Sequence, residues 1–363
     1  CRQTLEQLTV DSEKVLDIIY QPQAVFRVRA VTRCTSSIPG HAEPVISASF
    51  SPDGRSLASG SGDKTVTVTG CSASPGRPDC RLLASGCKSG EVRLWEPVSG
   101  KQEGKPLTGH KQWITHICWQ PLHSSESGQS RLLASSSKDG DVRVWDAQLQ
   151  RCLRVLTGHR QSVTCLRWGG ADLLYSGSQD RSVRVWAATD GAMCRALQGH
   201  GHWVNTLALS TDYVMRTGAY DPASGDVGHL ADKRTARMTG HQQLINDVRF
   251  SPDARLIASA SFDKSIRLWE GKTGKFVAAL RGHVQAVYMV AWSADSRLLV
   301  SGSADSTLKV GGGTFVVLWS MRSRKLQLDL PGHADEVFAV DWSPDGQRVV
   351  SGGKDKLLRI WRR

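Results

Sequence analysis

The sequence predicts an all-β fold in which one small antiparallel sheet is repeated around an axis, and three observations predict it. Gly-His dipeptides recur at Gly40-His41, Gly109-His110, Gly158-His159, Gly199-His200, Gly240-His241, Gly282-His283 and Gly332-His333, most of them forty to fifty residues apart. Downstream of four of them, the strings SSSKDGDVRVW, SGSQDRSVRVW, SASFDKSIRLW and SGGKDKLLRIW end on Trp145, Trp186, Trp269 and Trp361. Each Trp lies six residues after an Asp (Asp139, Asp180, Asp263, Asp355), an even step along a period-two strand.

The elements of one unit follow in order. The first strand begins just after Gly-His, as in WITHICW, SVTCLRW, LINDVRF, AVYMVAW and EVFAVDW. SPDG or SADS then supplies a hairpin turn, because Asp and Gly tolerate the backbone angles that a tight reversal needs. A second strand follows (RLLAS, DLLYS, RLIAS, QRVVS), then the Asp turn and the strand that ends on Trp. Three or four antiparallel strands in roughly 42 residues make one blade of a β-propeller. No segment sustains a 3.6-residue period, which excludes helical bundles and βαβ folds.

Eight turn positions can be placed, at Asp63, Ser89, Asp139, Asp180, Asp221, Asp263, Asp305 and Asp355, so eight blades are expected. Some are irregular. Only 26 residues separate Asp63 from Ser89, so the second blade is expected to lack its Gly-His and first strand. The fifth has Val227 where Trp should stand. In the seventh, Trp319 lies fourteen residues after Asp305, and GGGTFVVL (Gly311 to Leu318) reads as an eight-residue insertion, poorly ordered because glycines weaken strands. Residues 25–363 are assigned to the propeller, with Val25–Val31 expected to pair with the last blade and remove two open edges. Residues 1–24 read as a linker from an absent N-terminal domain, and the start at Cys1-Arg2-Gln3, without initiator Met or signal-peptide pattern, reads as a fragment.

Composition narrows the function classes. Hydrophobic residues are 40% and charged residues 22%, enough to bury a core, and no apolar run approaches the length of a membrane helix. The nine Cys show no paired spacing, and Cys118 and Cys165 sit among apolar residues, as expected of free thiols in a reducing compartment. The net charge of +12 favours polyanionic partners.

With these motifs in view, residues 40–363 resemble WD repeats, giving an eight-bladed WD-repeat β-propeller as the expected fold. The resemblance implies a hydrogen-bonded chain of His, Ser or Thr, Asp and Trp inside each blade. The complete sets include His110, Asp139 and Trp145; His159, Asp180 and Trp186; His241, Asp263 and Trp269; and His333, Asp355 and Trp361. The residue types suit that role, since indole N–H only donates, hydroxyl and imidazole do both, and carboxylate accepts. A metal or acid–base reading of these groups fails because they recur once per blade rather than converging on one place. No phosphate loop or nucleophile elbow is present, so neither a catalytic site nor a cofactor is expected.

The strings EKVLDIIYQPQAVFRVRAVTRCTSS, LQGHGHWVNTLALSTDY, ASASFDKSIRLW and LPGHADEVFAVDWSPDGQRV resemble the Notchless family over nearly the whole chain. That resemblance implies a nucleolar and nuclear assembly factor of the large ribosomal subunit, whose propeller docks on the precursor particle of ribosomal RNA, ribosomal proteins and other factors. It also implies an N-terminal ubiquitin-like domain that engages the AAA ATPase midasin, a contact expected to be missing where that domain is missing. The alternative from another class is a signalling adaptor for the Notch intracellular domain. Partner contacts are expected on the face bearing the loops before the first strand and the Asp turn, at Lys111, Trp113, Lys138, Gln179, His202, Trp203, Asn205, Phe262, Tyr288, Glu336, Phe338 and Lys354.

Overall fold

The structure, a computed structural model, describes residues 27–51, 54–63, 66–70, 82–97, 99–121, 131–170, 172–210, 238–305 and 314–363. Among them every element is a strand, and the strands form seven antiparallel sheets. Each sheet is named below by the turn residue of its blade.

The Asp139 sheet is built from Ile114–Trp119, Leu132–Ser137, Val142–Asp146 and Arg151–Leu156, paired in that order. The Asp180 sheet (Val163–Trp168 through Met193–Leu197) and the Asp263 sheet (Ile245–Phe250 through Phe276–Leu280) repeat it. Alternation produces the pairing: in Val142–Asp146 the residues Val142 and Val144 are fully buried while Arg143 between them is not. Register is pinned by a bulge near the start of the first strand, for example between Ile114 and His116, which recurs in the blades around it.

Two sheets are short. The Asp63 sheet has three strands, Val45–Phe50, Ser56–Ser61 and Val66–Gly70. Among the described residues the Ser89 sheet has two, Leu83–Gly86 and Val92–Trp95; residues 71–81 before them lie outside the described residues. The fifth expected blade, with Asp221 and Val227, lies outside the described residues.

Blades pack face to face through their apolar positions. Val45, Phe50 and Leu57 of the Asp63 sheet share one core with Val350, Leu358 and Ile360 of the Asp355 sheet. Across the same seam the Phe50 N–H donates to Asp341 Oδ2 at 2.8 Å, joining segments 291 residues apart. Ala258, Ile266 and Leu268 similarly meet Val287, Leu299 and Trp319. Burial of this kind, worth roughly 25 cal/mol per Å² of apolar surface, is what holds a blade that cannot cover both of its own faces.

Two expectations are corrected. The strand that completes the Asp355 sheet is Arg33–Pro39, paired with Leu357–Arg362, rather than Val25–Val31. In the other blades the outer strand runs directly into the next Gly-His, as Arg151–Leu156 does before Gly158-His159, and Arg33–Pro39 is the segment in that position before Gly40-His41. Val28 and Val31 instead enter the core between the Asp305 and Asp355 blades, against Val316, Leu330 and Trp361, while Val25 and Phe26 lie outside the described residues. The second correction concerns GGGTFVVL. Its last five residues begin the strand Thr314–Ser320, which pairs on both sides, with Val316, Val317 and Leu318 buried. VVLW thus supplies the apolar alternation that VRVW supplies elsewhere, and the surplus length falls in 306–313, outside the described residues.

Candidate interaction face

The expected hydrogen-bonded sets are assembled. In the Asp139 blade, Trp145 Nε1–H donates to Ser135 Oγ at 2.7 Å, Ser135 Oγ lies 2.9 Å from His110 Nε2, and His110 Nδ1 lies 3.0 Å from Asp139. The same chain links Trp186, Ser176, His159 and Asp180, and again Trp269, Ser259, His241 and Asp263. It also links Trp361, Ser351, His333 and Asp355. A fifth set, Trp319, Ser301, His283 and Asp305, was obscured in the sequence by the eight extra residues.

Donor logic fixes the tautomer. Indole N–H occupies one lone pair of the serine, whose O–H then donates to Nε2, leaving Nδ1–H for the carboxylate. Burial lowers the pKa of His110, His159 and His241 and outweighs the opposing carboxylate, so these rings are neutral. Burial works against the Asp180 and Asp263 carboxylates, yet hydrogen bonds from Ser182 and Ser265, from the imidazoles and from backbone N–H groups hold both below the usual range. At Gly240 and Gly158 the glycine before the His stands at a positive φ that other residues rarely adopt. Gly240 has φ +152°, and a Cβ there would lie 2.2 Å from Arg267 Nη1; Gly158 is placed in the same way against Arg184.

His110–Asp139 and its counterparts tie the Gly-His loop to the Asp turn, so both lie on one face of each blade. The sequence-predicted contacts divide there into three groups. Trp113 and Lys138 come together: Trp113 is 49% exposed, and Lys88 and Lys138 place their ammonium groups 4.7 and 4.9 Å from its ring centroid, while exposed Lys111 donates its backbone N–H to Asp139 at 2.9 Å. Phe262, Tyr288 and Phe338 form an aromatic ladder across three blades, with centroids 6.0 and 5.2 Å apart. Tyr288 Oη donates to Glu336, and Lys354 lies 3.6 Å from Asp335 and 3.7 Å from Glu336. Trp203 is 50% exposed and stacks at a tilt on His202, 5.3 Å away, while the half-buried Gln179 stands next to its turn.

Asn205 has a structural partner, since its Nδ2 donates to the Ile245 carbonyl of the next blade. Thr115 does the same to Val163, Thr164 to Val204, and Asn246 to Val287. These four occupy one position, the second residue of the innermost strand or its counterpart at Asn205. Tyr288, Phe338 and Ile46 occupy it in the remaining described blades. The four Thr and Asn residues of this series bind neighbouring backbone, whereas Ile46 is left 60% exposed.

Sequence reading missed Lys88, Arg160, Arg181 and Ile46. Lys88 was hidden because its blade has no Gly-His, but Arg160 and Arg181 stand directly after Gly-His and directly after the turn Asp, and loop position alone would have found them. Cys165 is buried and burial raises its thiol pKa; Cys118 is half-buried, whereas Cys34 and Cys194 are exposed. Among the described residues no group of three or more His, Cys, Asp or Glu is placed to hold a metal ion.

Comparison with known proteins agrees with this architecture. The family model for the WD domain, G-beta repeat, matches residues 32–70, 101–146, 150–187, 232–270, 274–310 and 324–362. Protein Notchless of Drosophila melanogaster is 50% identical over 311 residues, covering 70% of this chain and 63% of the fly protein. The Notchless protein homolog of Arabidopsis thaliana is 50% identical over 326 residues, covering 75% and 68% respectively. Ribosome assembly protein 4 of Saccharomyces cerevisiae is 43% identical, with 74% and 63% covered. The chain thus spans less than two thirds of the fly and yeast proteins, 63% of each. Repeated His–Ser–Asp–Trp chains, the matched repeats and half-identity to the plant relative together place this chain in the Notchless family of WD-repeat β-propeller proteins.

Proposed function

We propose that this propeller is a non-enzymatic ribosome-assembly factor that docks on precursors of the large ribosomal subunit in the nucleolus and nucleus. The observation that carries the reading is 43% identity to a yeast protein named for ribosome assembly. The chemistry of the Asp-turn face supports it. The exposed Trp113 stands between two lysines, in a chain of net charge +12, which suits attachment to a particle rich in RNA. Remodelling of the docked particle by midasin would act through a part of the protein other than the blades.

Sucrose-gradient sedimentation of cell extracts tests the reading. The protein should travel with large-subunit precursors and leave them steeply as salt rises, and Trp203→Ala with Phe338→Ala should release it without unfolding it. Retention of the double variant on the particles would overturn the assignment of the face, and absence of the wild-type chain from precursor fractions would overturn the docking itself. The fly relative's name, Notchless, supports a second reading as an adaptor for a Notch intracellular domain, in which case the protein stays in light fractions.

A further inference from the structure

Charge is not spread evenly over the Asp-turn face. At equivalent loop positions the Ser89, Asp139 and Asp180 blades present Lys88, Lys111, Lys138, Arg160 and Arg181, all exposed. In the Asp355 and Asp63 blades the Gly-His loops carry Asp335, Glu336 and Glu43; Lys354 is engaged by the first two, and Lys356 stands exposed after the turn Asp. Within the basic arc, the Asp139 and Asp180 carboxylates keep their charge but point inward, hydrogen-bonded to the buried neutral His110 and His159; Glu91 pairs with Arg93 at 3.0 Å, and Asp141 is half-buried beside Asp139.

The half-exposed Trp113 ring stands in this arc with two ammonium groups within 5 Å of it. It is held in place, because the Lys138 N–H donates to the Trp113 carbonyl at 2.9 Å and ties the loop to the turn. An aromatic plane among separated cations matches one polymer well, since a nucleic acid strand alternates π faces with phosphates. A duplex would hide its base faces from the indole. A phosphopeptide calls for converging arginine forks on one anion, whereas these cations are mostly lysines spread over three blades.

We propose that the basic arc of the Ser89, Asp139 and Asp180 blades binds an unpaired stretch of RNA, with one base stacked on Trp113 and adjacent phosphates held by Lys88, Lys111, Lys138, Arg160 and Arg181. On binding, the Lys88 and Lys138 ammonium groups exchange the indole face for phosphate oxygens. This deepens the docking reading by naming what the face would meet, but binding by the purified chain is measured without any particle, so either can fail alone.

The test is fluorescence anisotropy of a labelled single-stranded oligouridine with the full chain, at several salt concentrations. Trp113→Ala should weaken binding roughly tenfold. Lys88→Glu with Lys138→Glu should weaken it further and flatten the salt dependence by about the two lost phosphate contacts. Trp113→Phe should recover most of the loss, and Lys272→Ala, exposed in the turn after Ile266–Glu270 at the end of the blade away from its Asp turn, should change nothing. Circular dichroism melts confirm that each variant is folded. Unchanged affinity in both the Trp113→Ala and the double-lysine variants would overturn the proposal. So would duplex RNA or a phosphopeptide of equal charge binding as tightly as the single strand, or no binding of oligouridine at low salt.

Discussion

Tyr288 Oη donates a hydrogen bond of 3.1 Å to the Glu336 carboxylate across the seam between two blades. Burial, then the negative charge of Glu336, then this hydrogen bond all push the phenol pKa above its ordinary value of 10. Glu336→Gln removes the charge and leaves the burial. The phenol of Tyr288 should therefore titrate at a lower pH in the variant, though still above 10, as read by tyrosinate absorbance against a Tyr288→Phe blank. An unchanged titration would mean that the pair is not formed in solution.

Serine is the shared node of each buried chain, taking an indole N–H and reaching a histidine nitrogen. Ser135→Ala strands the Trp145 N–H and His110 Nε2 inside the blade. The expected cost is about 1–3 kcal/mol, seen as a lower urea midpoint with an unchanged slope. Ser176→Ala and Ser351→Ala should behave alike, because their partners repeat the geometry.

Acid should destabilise the fold in two stages. The pKa values of His110, His159 and His241 lie below 6.5 in the folded chain, so the unfolded chain takes up protons first as pH falls. Their contribution is complete above 6.5 and is lost as pH drops through that value toward the folded pKa values. Asp139, Asp180, Asp263 and Asp355 lie below 3.8 when folded, so their contribution persists above 3.8 and is lost below it. Thermal melts should show a declining midpoint from about pH 7 to pH 5 and a second decline below about pH 4. A flat profile between pH 7 and pH 5 would contradict the neutral buried imidazoles.

The residue after the turn Asp is held in the left-handed region, at φ +68° for Lys264 and +66° for Lys356, where Gly140 stands in the Asp139 blade at +92°. Lys264→Gly should relieve the side-chain penalty and raise stability by about 0.5–1 kcal/mol, the gain being reduced by the greater freedom of glycine when unfolded. Chemical denaturation measures it, and a loss of stability would show that the Lys264 side chain contributes more than its backbone costs.

Most of the blade was legible in the sequence because its determinants are local. The Asp-to-Trp step of six residues and the Gly-His loop lie within one unit, so a period-two pattern and four residue types suffice to place His159, Ser176, Asp180 and Trp186 together. The same locality misled where the unit was interrupted. The eight extra residues after Asp305 hid the set containing His283 and Trp319, although VVLW restores the alternation that brings Trp319 Nε1 to 2.9 Å from Ser301.

The sequence by itself thus determined the all-β class, the blade and its buried hydrogen-bond chain, since each rests on spacing within about forty residues. Only the tertiary structure decided that Arg33–Pro39 completes the sheet of Leu357–Arg362, that Phe262, Tyr288 and Phe338 meet as a ladder, and that Lys88 comes to Trp113. The first joins segments more than 300 residues apart within one sheet, and the other two join different blades. Their partners are chosen by how neighbouring sheets pack around the axis, which no repeat spacing encodes.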